Sequence, residues 1–295
     1  MSYIVETKNL TKRYARTTAV NNVSFHIKKG EIYGLIGPNG AGKTTLMKLL
    51  LNLCMADSGE IRLFDGENLS AARRKIGSLI EEPALFRNAT AFENLKRNAL
   101  LVSATDDELH ELLKLVGLDK TGTKTAGVFS LGMRQRLGIA IALLGKPELL
   151  ILDEPINGLD PAGIKEIRDL ILSLSSQGVT FMISSHLLDE LGKIATTYGI
   201  MNKGILVDEF SAEELKTRNQ NYVMAETNDG QKAAQALLAA YPGLSLTQQG
   251  NTLRIYSESP DSAEIAATLV HADVKLFELV RNSSSLEDYF IERMG

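Results

Sequence analysis

A glycine-rich string at residues 37–45, GPNGAGKTT, constrains the fold of this chain more than any other feature. It matches the pattern G-x-x-x-x-G-K-[ST], whose backbone N–H groups surround nucleotide phosphates. An apolar run at 32–36 precedes it and a helical run at 44–53 follows it, which is the strand–loop–helix context that the motif requires. The sequence therefore predicts a phosphate-binding loop at a helix N-terminus, where partial positive charge favours an anion.

Within this loop, two side chains are candidates for direct contact with ATP and Mg²⁺. Lys43 is expected to reach the β- and γ-phosphates, and the Thr44 hydroxyl is expected to bind Mg²⁺. Gly37 and Gly42 supply backbone conformations that a side chain would block. The predicted nucleotide-binding residues of the loop are Gly37, Pro38, Asn39, Gly40, Ala41, Gly42, Lys43, Thr44 and Thr45.

A second motif, LLILDEP at 149–155, consists of an apolar run followed by two adjacent carboxylates. Such a run is typical of a parallel strand that is buried on both faces. Successive strand side chains point to opposite sides, so Asp153 and Glu154 are expected to have different roles. Asp153 is predicted to hold Mg²⁺, and Glu154 to act beside the γ-phosphate as the general base that polarises water. Without the glycine loop, a solvated acidic strand end would explain these two residues equally well.

Composition excludes several classes of protein. The 295 residues carry a net charge of −4, and they show no basic stripe of the kind that marks a nucleic-acid binder. The one cysteine, Cys54, excludes a disulfide within the chain. Neither a signal peptide nor an apolar run long enough to span a bilayer is visible, so we expect a soluble, cytoplasmic protein. If it acts at a membrane, a partner has to supply the spanning segments.

The character of the sequence changes near residue 220. From residue 221 onwards, ten acidic residues stand against five basic ones. The predicted elements of this tail are, in order, a strand, a helix, two strands, a helix and a strand, at 222–227, 230–241, 244–249, 251–257, 261–272 and 274–280. This is the ferredoxin-like order. We therefore predict a main domain over 1–220, with a mainly helical insertion at about 85–128, and a small accessory α+β domain over 221–295.

Three further motifs accompany the first two in a fixed order. The string FSLGMRQRLGIA at 129–140 precedes the acidic strand, NGLD at 157–160 follows it, and His186 ends the next strand. Together with Tyr14 ahead of the glycine loop, this series resembles the ATP-binding subunit of ABC transporters over residues 3–218. The resemblance implies an α/β fold of the P-loop NTPase class, with a β-rich N-terminal subdomain, a RecA-like core and a helical subdomain.

The resemblance also implies that two copies of the chain pack head to tail with two ATP molecules between them. Ser130 and Gly132, at a helix start, would bind the γ-phosphate held by the other copy's loop, and Asp160 would reach across the same interface. His186 would contact the γ-phosphate and fix the attacking water, and Tyr14 would stack on adenine. Without this motif series, a tyrosine in this place is more often an ordinary surface residue.

Two departures from the family pattern concern the signature and residue 81. The usual LSGGQ signature reads FSLGM at 129–133, which keeps the serine and the second glycine. Glu81 stands where most relatives have a glutamine that touches Mg²⁺, and we predict that it is a catalytic and metal-binding carboxylate; the alternative is a solvent-facing side chain. Glu81, this signature and the tail string SLEDYF resemble the bacitracin-resistance and lantibiotic-immunity type of ABC ATPases.

The resemblance thus implies an ATPase that powers an exporter of antimicrobial peptides. It would act at the cytoplasmic face of the membrane as a homodimer bound to a polytopic permease, without a membrane span of its own and without nucleic acid. Two other classes stay open. Soluble translation, chromosome and repair ATPases share the core, but this chain lacks their second core, coiled coils and zinc insertions. A phosphate-loop kinase would leave Ser130, Gly132 and His186 unexplained.

Overall fold

The computed structural model describes residues 2–218, 222–256, 261–282 and 289–290. The strands are β1 (Tyr3–Tyr14), β2 (Thr17–Lys28), β3 (Ile32–Ile36), β4 (Ser58–Leu63), β5 (Ile76–Leu79), β6 (Leu149–Asp153), β7 (Thr180–Ser185), β8 (Thr197–Asn202), β9 (Ile205–Ser211), β10 (Tyr222–Thr227), β11 (Ser245–Gln249), β12 (Thr252–Tyr256) and β13 (Leu276–Asn282). The helices are α1 (Lys43–Leu50), α2 (Leu69–Arg73), α3 (Ala91–Ala99), α4 (Asp106–Leu115), α5 (Leu131–Ala142), α6 (Pro161–Ser176), α7 (Leu188–Leu191), α8 (Ala212–Arg218), α9 (Gly230–Ala240) and α10 (Ser262–His271). The chain divides into two compact units, Met1–Ala212 and Glu213–Gly295.

The first unit is built on a six-stranded sheet of order β5-β6-β7-β3-β8-β9. Its strands run parallel from β5 to β8, and β9 pairs antiparallel with β8. Every residue of β3, β6 and β7 is buried, because the apolar runs of a parallel sheet are covered on both faces. This arrangement confirms the predicted α/β class and places the ends of β3, β6 and β7 side by side.

An antiparallel sheet of order β2-β1-β4 forms the β-rich N-terminal part of the same unit. A single buried apolar cluster joins this sheet to the parallel sheet and to α1. It includes Phe25 from β2, Leu35 from β3, Met47 from α1 and Ile151 from β6. Packing of both sheets on α1 therefore fixes the loop between β3 and α1, which carries the glycine-rich motif.

The segment between β5 and β6 is mainly helical, and the range 85–128 contains α3 and α4. Both helices begin with a capping box, in which a threonine and a glutamate three residues later bond each other's backbone N–H groups. Helix α5 follows and leads into β6. In the part of the chain that the structure describes, no helix combines the length and apolar character needed to cross a membrane.

The second unit contains an antiparallel sheet of order β11-β12-β10-β13, with α9 and α10 packed on it. Alternate strand residues such as Val223 and Leu253 point towards Leu237 of α9 and Ile265 of α10, in one buried apolar cluster. The element order is the predicted ferredoxin-like one. A domain boundary near residue 220 stays a prediction, and residues 285–288 of the tail string SLEDYF lie outside the described residues.

Candidate nucleotide-binding site

The loop between β3 and α1 requires glycine at two positions. A Cβ atom at Gly37 would collide with the carbonyl oxygen of Met201, and one at Gly42 would collide with that of Ala19. Gly42 also has φ +105°, a left-handed conformation that residues with a side chain rarely adopt. The neighbouring backbone thus selects glycine here, and the resulting loop has room to wrap closely around a phosphate group.

Lys43, the first residue of α1, is a buried cation beside this loop. Its Nζ donates a hydrogen bond to the Gly37 carbonyl oxygen at 2.7 Å and lies 3.4 Å from the Pro38 carbonyl oxygen. The same nitrogen lies 3.4 Å from Glu154 Oε1. Burying an ammonium group is costly unless it is paired, so these contacts explain how it is held at the loop. A phosphate group in the loop would meet this positive charge directly.

Asp153, the last residue of β6, is buried, and both of its carboxylate oxygens accept hydrogen bonds. The Thr44 hydroxyl donates to Oδ2 at 2.7 Å, and the Ser184 hydroxyl donates to Oδ1 at 2.5 Å. The Ser184 oxygen in turn accepts a hydrogen bond from the backbone N–H of Glu154 at 2.9 Å. This network connects α1, β6 and β7 at the edge of the sheet where the glycine loop begins.

Glu154 directly follows β6 and has a left-handed backbone, with φ +49°. Its Oε2 lies 2.7 Å from Nδ1 of His186. An ionised carboxylate can only accept hydrogen bonds, so we assign the proton of this contact to Nδ1. The other oxygen, Oε1, is buried and has no hydrogen-bond donor. A buried carboxylate oxygen without a donor is a place that a water molecule or a ligand group fits.

These groups surround a cleft of about 430 Å³, a volume within the range of small-molecule sites. The lining residues are Thr17, Thr18, Ala19, Pro38, Asn39, Gly40, Ala41, Gly42, Lys43, Thr44, Thr45, Asp153, Glu154 and Lys203. A larger groove of about 620 Å³ lies beside α4 and contains none of the predicted site residues, so size alone does not locate the site. The smaller cleft is identified as the site by its chemistry, because it combines the glycine loop, a buried lysine and two carboxylates.

The few oxygen ligands at the cleft suit Mg²⁺ that binds together with a nucleotide. They suit less well a metal ion that is bound by protein side chains alone. Across the described ranges, no three His, Cys, Asp or Glu side chains converge on a common metal position. Mg²⁺ does not need such a cluster, because it keeps several waters and binds through one or two carboxylates plus substrate phosphates. The Thr44 hydroxyl and the Asp153 carboxylate supply ligands of this kind at one wall of the cleft. These residues therefore fit a magnesium ion that arrives with a nucleotide.

The predicted signature residues lie at two neighbouring helix starts. The Ser130 side chain caps α5 by accepting a hydrogen bond from the Met133 N–H at 3.2 Å, and Asp160 caps α6 in the same way. Both side chains are exposed. The two starts pack together, since a Cβ at Gly132 would lie 3.7 Å from the Leu159 side chain. Ser130, Gly132 and Asp160 do not line the cleft of their own chain.

Tyr14 and Glu81 are two further predicted site residues, and both are exposed. Tyr14, at the end of β1, is 46% exposed, and the neighbouring Cys54 thiol raises the pKa of its hydroxyl. The Glu81 carboxylate is 65% exposed and pairs with Nζ of Lys48 on α1 at 2.7 Å. Neither side chain lines the cleft. Adenine stacking by Tyr14 and the catalytic and metal-binding roles of Glu81 therefore stay predictions.

Five residues at the site were not predicted from the sequence: Thr17, Thr18, Ala19 and Lys203, which line the cleft, and Ser184 beside it. Ser184 bonds both Asp153 and Glu154, and its signal was a serine at the polar end of the string VTFMISS. Lys203 lies in the turn between β8 and β9, where it lines the cleft. Nothing in the sequence distinguished Lys203 from other lysines in turns.

Comparisons with known proteins agree with this geometry. The family model for the ABC transporter matches residues 20–157. The chain is 44% identical over 300 residues to the bacitracin transport ATP-binding protein BcrA of Enterococcus faecalis, which covers 100% of this chain and 97% of that protein. It is 45% identical over 227 residues to the lantibiotic transport ATP-binding protein SrtF of Streptococcus pyogenes, at 76% and 99% coverage. The solved dimeric, post-hydrolysis structure of the ATP-binding cassette MJ0796 with ADP and Pi is similar at a TM-score of 0.64 and 26% identity, covering 70% of this chain and 98% of that one.

Proposed function

This chain belongs to the family of ABC transporter ATP-binding subunits, which hydrolyse ATP to drive transport, and we propose that it powers the export of antimicrobial peptides. The observation that carries the cargo assignment is the likeness to a bacitracin transport protein along the full chain. A second relative is named for lantibiotic transport. Bacitracin and lantibiotics are both peptide antibiotics, so peptides of this class are the proposed cargo.

The residues of the cleft support an assignment of roles in hydrolysis. Lys43 and the loop N–H groups would bind the phosphates, and Glu154 would accept a proton from the attacking water. Oε1 of Glu154 accepts no hydrogen bond from the described residues and faces the Lys43 ammonium at 3.4 Å, so it is the oxygen available to that water, while His186 bonds Oε2 and orients the carboxylate. When bound, Mg²⁺ would offset negative charge on the phosphates, and Thr44 and Asp153 would hold it.

Each site would be completed by a second copy of the chain. Ser130 and Asp160 are exposed, and neither they nor Gly132 line the cleft of their own chain, which supports a role across a dimer interface. The N-terminus of α5 offers N–H groups that suit a phosphate. A similar cassette was solved as a dimer. The remaining proposed partner is a polytopic permease that holds the dimer at the cytoplasmic face of the membrane.

The cargo and the partner can be tested together in cells. The affinity-tagged chain is expressed with the membrane protein that co-purifies with it, and growth is measured against bacitracin and a lantibiotic. Wild-type chain should raise the tolerated concentration of at least one peptide, and Glu154→Gln should remove this gain while still binding the membrane protein. Normal ATP hydrolysis without any change in peptide tolerance would overturn the cargo assignment and leave the ATPase standing.

A further inference from the structure

The carboxylate that would hold the metal and the backbone of the general base are joined by one side chain. We propose that Ser184 is a positioning residue of the ATPase reaction, which sets the orientation of Asp153 and the place of Glu154 with a single hydroxyl group. The proposal rests on the function proposed above for Asp153 and Glu154. It assigns to β7 a part in the chemistry besides carrying His186 at its end.

The geometry of this contact follows from the sheet. Strand β7 runs parallel to β6, and the register pairs Ser184 with Asp153. The Ser184 side chain is fully buried. Its hydroxyl donates to Asp153 Oδ1 at 2.5 Å and accepts from the Glu154 N–H at 2.9 Å. The hydroxyl therefore acts as a donor to Asp153 and as an acceptor from Glu154.

Asp153 is held from two sides by these contacts. The Thr44 hydroxyl on α1 bonds Oδ2 and the Ser184 hydroxyl on β7 bonds Oδ1, so the plane of the carboxylate is fixed. Removal of the Ser184 hydroxyl would leave a buried carboxylate oxygen and a backbone N–H without their partner, which is costly. The carboxylate would then turn or admit water, and the oxygen that faces a metal would move with it.

The same hydroxyl also bonds the backbone at a strained point. Glu154 has φ +49°, in a region that residues with a side chain seldom occupy. Such a conformation persists only when surrounding contacts hold it, and the Glu154 N–H is held by Ser184. Loss of this contact would let the backbone relax and shift the carboxylate that His186 orients.

The next residue in the strand provides a natural control. Ser185 is also buried, but its hydroxyl accepts a hydrogen bond from the Leu187 N–H at 2.9 Å and bonds neither carboxylate. Adjacent strand residues point to opposite sides, which explains the difference. Comparison of Ser184→Ala with Ser185→Ala thus separates a role at Asp153 and Glu154 from the general cost of removing a buried hydroxyl.

The experiment measures metal binding and hydrolysis in the full-length chain. Mn²⁺ serves as a spectroscopic substitute for Mg²⁺, and its affinity is measured by electron paramagnetic resonance with a non-hydrolysable ATP analogue bound. Ser184→Ala should weaken Mn²⁺ binding and lower kcat, each by about 10- to 100-fold, as expected for the loss of a hydrogen bond to a charged group. Binding of a fluorescent ATP analogue without metal, measured in EDTA, should stay unchanged, because Lys43 and the glycine loop are intact. Ser184→Thr keeps a hydroxyl and should restore both values, and Ser185→Ala should leave Mn²⁺ affinity at the wild-type value.

Two results would overturn the proposal. One is a folded Ser184→Ala chain, checked by its Tm, with wild-type Mn²⁺ affinity and kcat. The other is an equal loss of Mn²⁺ affinity in Ser185→Ala. If Ser184→Ala does not fold, Ser184→Cys fills the same space with a weaker hydrogen-bonding group and should show a smaller loss in the same direction; wild-type values there would also overturn it. The Mn²⁺ readout does not depend on cargo, so failure of the export assignment leaves this test valid.

Discussion

The proposed site has two halves: the cleft half, at the start of α1, and the signature half, at the starts of α5 and α6. The helices of the two halves begin in opposite ways. On the cleft side, α1 starts at Gly42, which has no side chain with which to cap it. On the signature side, Ser130 and Asp160 cap α5 and α6 with their own side-chain oxygens. The first-turn N–H groups of α1 therefore lack a side-chain acceptor, whereas one N–H group in each of the other two helices is already satisfied by the protein.

This difference indicates which half depends on a ligand to complete its hydrogen bonds. The cleft half has helix N–H groups without a side-chain cap, a buried Lys43, and an oxygen of Glu154 that pairs with Lys43 but accepts no hydrogen bond from the described residues. These groups suit an anionic substrate and its water. In the signature half, Ser130 and Asp160 already satisfy one N–H group at each helix start. Changes in the cleft half should therefore damage the site of the chain that carries them, and changes in the signature half should act on the other copy.

The largest expected effect tests the cleft half directly. Glu154→Gln keeps the size of the side chain but removes the group that would accept a proton from water. We expect hydrolysis to fall by about 10²–10⁴-fold while binding of ATP persists, because Lys43 and the loop are unchanged. Phosphate release measures the rate, a fluorescent nucleotide measures binding, and gel filtration should show an ATP-bound dimer that accumulates.

A matched control for this change is Asp107→Asn, which removes an exposed carboxylate on α4 outside the cleft. It should leave the rate of phosphate release at the wild-type value. Near-normal turnover of Glu154→Gln would show that Glu154 is not the general base. The cleft half would then not contain the group that accepts the proton from water.

The second prediction concerns the signature half. Gly132→Asp places a negative charge at the start of α5, where space is available, since the nearest side-chain atom would lie 3.7 Å from the new Cβ. Alone, this chain should bind ATP but hydrolyse almost none. Mixed in equal amounts with Lys43→Ala, it should recover roughly a quarter of the wild-type activity, because random pairing gives one intact composite site in half of the dimers.

The control for size is Gly132→Ala, which adds a Cβ without charge and should retain most of the activity. Hydrolysis by Gly132→Asp at the wild-type rate would show that the start of α5 does not meet a phosphate. The absence of recovery in every mixture, with dimers demonstrated by gel filtration, would show that the two halves do not combine across chains.

Much of the cleft half could be predicted from the sequence because its residues lie in short motifs. The glycine loop, the strand end with Asp153 and Glu154, and His186 each stand next to a recognisable strand, and the parallel sheet brings these ends together. The element order of the second unit was predictable for a related reason, since strands and helices alternate there with clear periodicity. A local sequence pattern was sufficient to predict these features because each depends on residues that are close together in the sequence.

Contacts between distant segments could not be predicted in this way. Ser184 reaches Asp153 across 31 residues, and the contact depends on β7 being the neighbour of β6 in the sheet. Lys48 on α1 reaches Glu81, which follows β5, across 33 residues. A sequence motif places a residue at the end of a strand, but only the order of strands decides which hydroxyl or cation stands beside it.

A smaller effect is expected for Glu81→Gln, because the Glu81 side chain is exposed and does not line the cleft. Its ion pair with Lys48 is largely exposed, and exposed pairs contribute about 0–1 kcal/mol. ATP binding should persist and the ATPase rate should stay within about fivefold of wild type, while coupling to export changes. The measurement compares ATPase rate against pH with and without the membrane partner. Superimposable profiles and equal peptide tolerance in cells would leave Glu81 as a surface partner of Lys48.

Truncation after residue 220 should have the smallest effect on nucleotide binding. Both halves of the site precede this point, since the last residue that lines the cleft is Lys203. So does the apolar cluster that packs the two sheets on α1, whose buried members run from Ile4 to Met201. The second unit has an apolar cluster of its own, so the fragment 221–295 should fold by circular dichroism and bind no nucleotide. The truncated chain should bind the fluorescent nucleotide as tightly as the full chain, and it should still yield the Glu154→Gln dimer. A truncated chain that is insoluble, or that cannot bind ATP, would show that the halves of the site need support from the second unit.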